Sequence, residues 1–208
     1  MDRGRLEAFS DGVFAVAITL LALGLSVAGP GHGPLAHQLG ERWPSFVAYV
    51  ISFFTVGIIW VNHHALLSSI VVVDRVLLFL NLVLLLFVVM VPFATGTVAD
   101  YLQPGGFDAS VAVAVYGGVL AGMSVGFGSI LEWSLREGRT TTLVPRDRRW
   151  AARRRFVFGG PVYLAIIGIA FLSAWAAFAL SGAVALYYVF ERTPAAQSGL
   201  TGQPPDAG

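Results

Sequence analysis

The chain has 208 residues, 56% of them hydrophobic and 12% charged, where a soluble domain carries about 25% charged residues. That length holds about six short membrane spans and no separate soluble domain. There is no cysteine, so disulfides, thiolate catalysis and Cys-ligated zinc are excluded.

The formal net charge of +1 hides an asymmetry, because all 13 basic residues are arginine. Arg3 and Arg5 precede the first apolar segment, Arg42 lies between the first and second, Arg75 between the second and third, Arg136 to Arg155 hold a dense group, and Arg192 follows the last. With the N-terminus in the cytoplasm, only Arg42 lies outside. The positive-inside rule therefore places both termini in the cytoplasm of a multi-pass protein of the cell membrane. A nucleic-acid patch is the competing reading of the Arg-rich loop, and its position beside spans favours topology.

Span 1 is expected over 6–28. From Gly12 to Val27 its only polar side chains are Thr19 and Ser26, and at ~1.5 Å per residue the run crosses a hydrocarbon core of about 30 Å. It has no convincing signal-peptide cleavage pattern and is read as retained. Arg5, Glu7 and Asp11 stand at its leading edge. A carboxylate in a membrane helix costs up to about 2.5–3.5 kcal/mol at mid-depth, less near the interface, and normally has a partner or a wet cavity.

Gly29 to Pro34 break the helix, and His32 and His37 of this external loop are read as solvated. Span 2 is expected over 44–67, with Pro44 in its first turn and Trp60, Asn62, His63 and His64 crowded at its cytoplasmic end. Neighbouring helical residues point ~100° apart, so the two histidines cannot ligate one ion from one face. One is expected to meet a neighbouring helix, bonding Ser10 or Asp11, and the other the rim. Interfacial anchoring by Trp and His is the plainer alternative.

Span 3 is expected over 76–98. Its polar outlier, Asn81, is read as helix-to-helix glue, and Pro92 and Gly96 as a bend in its outer end. Asp100 and Asp108 make the following external loop acidic. Span 4, over 109–135, repeats Gly118-x-x-x-Gly122-x-x-x-Gly126, a close-packing spacing within or between subunits. Residues 147–156 suit an interfacial helix. Spans 5 and 6, over 156–172 and 174–190, are separated by a short turn near Ser173. The whole of 1–192 reads as one channel domain, and 193–208 as a disordered cytoplasmic tail.

Motifs exclude several chemistries. There is no His-Glu-x-x-His and no phosphate loop, so the chain is not read as an enzyme and no cofactor is expected. The Thr-Val-Gly-Tyr-Gly carbonyl filter of conventional potassium channels is absent too. On span 1, Gly12, Val16, Thr19, Leu20 and Leu23 share one stripe. Spacing alone leaves that stripe as packing surface or pore face, packing being the commoner.

Arg5-x-x-x-Phe9-Ser10-Asp11, at the start of the first span, resembles the signature of the transmembrane protein 175 family, the endosomal and lysosomal potassium channels and their bacterial relatives. Trp60-x-Asn62-His63-His64, the length and the helix count add to the resemblance. It implies a homotetramer of six-helix subunits, potassium ions as the conducted species, and a pore lined by the first helix. Counted from Asp11, the constriction falls at Val16 and the hydroxyl position at Thr19, with Leu20 and Leu23 continuing the column. The family usually places Leu or Ile where this chain has the smaller Val16. Arg5, Phe9, Ser10 and Asp11 with Trp60, Asn62, His63 and His64 would form the network that holds the helix in place. The alternative from another class is a proton-coupled secondary transporter using Asp11 and a histidine.

Overall fold

The computed structural model describes residues 2–136, 138–140 and 159–190. Their helices are α1 (Arg3–Leu23), α2 (Leu35–Glu41), α3 (Trp43–Ser69), α4 (Arg75–Tyr101), α5 (Gly106–Ser134), α6 (Gly159–Ala170) and α7 (Ala174–Phe190). Four of them, α1, α3, α4 and α5, are long and apolar enough to cross a membrane by length and composition, whereas α6 and α7 are shorter. A turn at 171–173 separates α6 from α7, and Ser173 Oγ accepts from the Ala176 backbone N–H at 3.3 Å. The interfacial helix expected over 147–156, the start of span 5 before Gly159 and the tail over 193–208 lie outside the described residues.

Helix α1 stops at Leu23, short of the expected residue 28. Gly24 and Leu25 close the end with i→i−3 bonds to the Leu21 and Ala22 carbonyls, at 3.3 and 3.1 Å. Apolar composition reports membrane depth and continues past this point, but glycine makes helix continuation unfavourable there. The loop beyond it is ordered by Gln38, whose side-chain amide donates to the Gly29 and Gly33 carbonyls while its oxygen accepts from Gly29 N–H.

Helix α4 is the centre of the bundle and packs against α1, α3 and α5. Leu77, Asn81, Leu84, Val88, Val91, Thr95 and Val98 form its inward row, each buried. Their alternating three- and four-residue spacing keeps one stripe facing the neighbours. The outward face carries exposed Phe79, Leu82, Val83, Leu86 and Phe93. Asp74 caps the start, its Oδ1 accepting from Leu77 N–H at 2.8 Å.

The glycines of α5 make its contact with α4 an intrasubunit one. A Cβ on Gly122 would enter the Phe87 ring, and one on Gly126 would stand 2.9 Å from the Leu84 Cα; Gly118 faces open space. The backbone obstacle at Gly126 cannot rotate away. Gly126→Ala is therefore expected to cost about 1–3 kcal/mol, read as a lower melting temperature in detergent. An unchanged melt would mean that α4 and α5 separate without penalty.

Toward the end of the bundle away from the N-terminus, Thr95 Oγ1 lies 2.7 Å from Ser52 Oγ, which lies 3.1 Å from Tyr116 OH. All three are buried and tie α3, α4 and α5 together. Buried hydroxyls need such partners.

Candidate functional site

Two faces of α1 have opposite chemistry. The inward face is Leu6, Ser10, Phe14, Ala17 and Leu21, all buried. The other face carries Arg5, Phe9, Gly12, Val16, Thr19, Leu20 and Leu23, all exposed on the single chain. Val16 is 55% exposed and Leu23 76%. The stripe thus contributes nothing to the core of its own subunit.

The inward face ends in a polar anchor. Ser10 Oγ donates to the Leu6 carbonyl at 2.9 Å. Its proton is then used, so it can only accept from Asn81 Nδ2, which lies 3.0 Å away. That fixes the amide: Asn81 Oδ1 faces His63 Nε2 at 2.7 Å. An amide oxygen only accepts, so His63 carries its proton on Nε2 and donates it. The result is a one-way chain from His63 on α3, through Asn81 on α4, to Ser10 on α1 and the Leu6 carbonyl. Every member is buried and satisfied along this route, which is the condition under which a buried polar network specifies one packing. The Phe14 ring, with its centroid 5.3 Å from that of His63, covers the chain.

A second tie lies one helical turn away on α3. Trp60 Nε1 donates to Asp11 Oδ1 at 2.8 Å, a charge-assisted bond to the carboxylate that the first span carries. Trp60→Phe keeps an aromatic ring in place and removes this donor. The expected loss is about 1–2 kcal/mol of stability, measured by circular dichroism during heating. An unchanged unfolding temperature would remove Trp60 from the anchor.

The expected site residues divide accordingly. Ser10, Asp11, Trp60 and His63 are brought together, but the expected direct bond from a histidine to Ser10 or Asp11 is not formed: His63, not His64, reaches Ser10 only through Asn81. His64 is exposed beside the Trp60 ring, with centroids 6.2 Å apart. Asn62 is half-buried on the same helix. Phe9 is 51% exposed and outside the anchor. Arg5 is exposed and, among the described residues, makes no hydrogen bond or ion pair; the basic tie to α3 is Arg3, whose Nη1 donates to the Ser68 carbonyl at 3.0 Å. Asn81, read from sequence as simple glue, is the hub. Its signal was its isolation as the one polar side chain between Val76 and Val91. Among the described residues no three His, Asp or Glu side chains converge on a metal site.

Comparison with known proteins places the chain in one lineage. A family model described as the endosomal/lysosomal potassium channel TMEM175 matches residues 5–92. A potassium channel of Streptomyces collinus is 46% identical over 198 residues, covering 93% of this chain and 94% of that protein. One from Chamaesiphon minutus is 34% identical over 194 residues, covering 90% and 93%. The crystal structure of a lysosomal potassium-selective channel TMEM175 homologue from Chamaesiphon minutus aligns with a TM-score of 0.79 at 33% identity, over 90% of this chain and 96% of that one. The anchor and the exposed stripe both fall inside the matched segment, the relatives align over nearly their full length, and the chain belongs to the TMEM175 family.

Proposed function

We propose that the chain is one subunit of a homotetrameric, potassium-selective channel whose pore is lined by α1. The observation that carries this is the exposed stripe of Val16, Thr19, Leu20 and Leu23, opposite a face that is wholly committed to the subunit's own core. Lipid alone would accept such a stripe, but then Thr19 and Gly12 would have no reason to share it. Around an axis, Val16, Leu20 and Leu23 become apolar rings that gate by dewetting. Thr19 becomes a hydroxyl ring. Its Oγ1 donates to the Val16 carbonyl at 2.9 Å, which leaves the oxygen lone pairs free to accept a cation that has shed water. Selectivity then arises without a carbonyl filter.

In this reading residues 1–192 are one domain of six spans, with α6 and α7 in the last two. The arginine distribution puts both termini in the cytoplasm and the anchor at the cytoplasmic end of the pore helix. The relatives named as potassium channels support potassium as the conducted ion. A proton-coupled carrier would pass a proton between Asp11 and a histidine. Against it, Asp11 accepts a hydrogen bond from Trp60 and His63 donates one to Asn81, so these two side chains are held in separate bonds rather than to each other.

Purified protein in potassium-loaded liposomes tests the class. Currents that reverse at the potassium Nernst potential, with no fixed proton stoichiometry, are expected. Obligatory proton coupling would replace the channel with a carrier.

A further inference from the structure

The segment that leaves α5 is tied to the base of α1 by contacts outside the anchor. Arg139 lays its guanidinium over the Trp133 ring, Cζ 4.1 Å from the centroid, with Nη1 3.7 Å from Asp74 Oδ2. Its carbonyl accepts from Val71 N–H at 3.0 Å, and Thr140 forms an antiparallel bridge with Ile70. Ile70 is fully buried. Its carbonyl lies 3.4 Å from Arg3 Nη1, the same nitrogen that donates to Ser68. Glu7, one turn along α1, orients Arg3 through an ion pair of 3.5 Å. Contact is therefore continuous from Arg139, through 70–71, to the first turn of α1.

We propose that Arg139 is a positioning residue for conduction. It clamps 138–140 onto 70–71, and so sets where the N-terminal end of α1 sits and how often the neck conducts. The inference rests on the reading of α1 as the pore helix. One planar cation serves two attractions, stacking on Trp133 and pairing with Asp74, a combination that arginine supplies and lysine supplies only in part. Asp74 would keep its separate capping duty when Arg139 is replaced, because Oδ1 is the atom bonded to Leu77 N–H. The substitution thus isolates the clamp.

The test compares wild type, Arg139→Ala and Arg139→Lys as reconstituted tetramers. Hydrogen exchange of the amides at 3–9 and 70–71 is followed together with single-channel recording. Arg139→Ala is expected to speed exchange in both segments by roughly five- to tenfold. It should change open probability about fivefold while the potassium-to-sodium permeability ratio holds. Arg139→Lys should fall between the two. If Arg139→Ala gives no stable tetramer, Arg139→Gln, which keeps the side chain's bulk, is measured in its place. Unchanged exchange overturns the inference alone, since the pore reading makes no use of 138–140. Faster exchange with unchanged open probability overturns the link to conduction, and chemical modification of Thr19→Cys then shows separately whether α1 lines the pore.

Discussion

Val16→Asn is expected to raise potassium flux through liposome-reconstituted protein by about tenfold, the change that ~1.4 kcal/mol off the barrier produces. Val16 is the first apolar side chain beyond the anchor on the exposed stripe of α1, and it offers water no hydrogen bond. A ring of such groups makes a narrow neck empty of water, and an ion cannot cross without its hydration. Asparagine has similar bulk but adds two donors and an acceptor, so the same neck fills. Val16→Leu narrows the ring without wetting it and is expected to lower flux. Equal flux from all three proteins would show that the constriction lies elsewhere.

Asn81→Ala should be the most damaging single change to the fold, at about 2–4 kcal/mol. It orphans the His63 Nε2–H, removes the donor to Ser10 and leaves a gap where all three side chains are buried. A buried unsatisfied group alone costs about 1–3 kcal/mol, and the gap adds to it. The diagnostic experiment is a double-mutant cycle. Asn81→Leu fills the space and still orphans His63, whereas Asn81→Leu with His63→Phe leaves neither polar partner behind. The double variant is expected to melt higher than Asn81→Leu by several degrees, because removing both partners of a buried bond is far cheaper than removing one. Additive losses in melting temperature would mean that the two side chains do not act as one unit.

Much of this was legible in the sequence, for physical reasons that differ by residue. The long helices α3, α4 and α5 follow from mainly apolar runs that no charged residue interrupts away from their ends. The anchor was readable as a need: Asp11 inside a membrane helix demands a donor, and Trp60 supplies it. Which histidine joins was not readable, because that depends on the rotational phase of α3 against α4. The same phase explains the exchange of Arg5 for Arg3. Arg3, Leu6, Ser10, Phe14, Ala17 and Leu21 step by three and four along the inward face, whereas Arg5, Phe9, Gly12, Val16, Thr19 and Leu23 step along the outward one. The short helix α2 was missed because it lies in a Gly- and Pro-rich loop with no long apolar period. The glycine stripe on α5 was visible, but spacing could not say that only Gly122 and Gly126 of the three would face α4.

That copies of α1 meet around a conducting axis is tested most directly by cysteine modification, in a chain that has no cysteine of its own. Thr19→Cys is compared with Leu86→Cys, which is 57% exposed on the outward face of α4. A small cationic thiol reagent, added while potassium current is recorded, is expected to block Thr19→Cys and leave Leu86→Cys conducting. Unimpaired current through fully modified Thr19→Cys would take α1 off the ion's path.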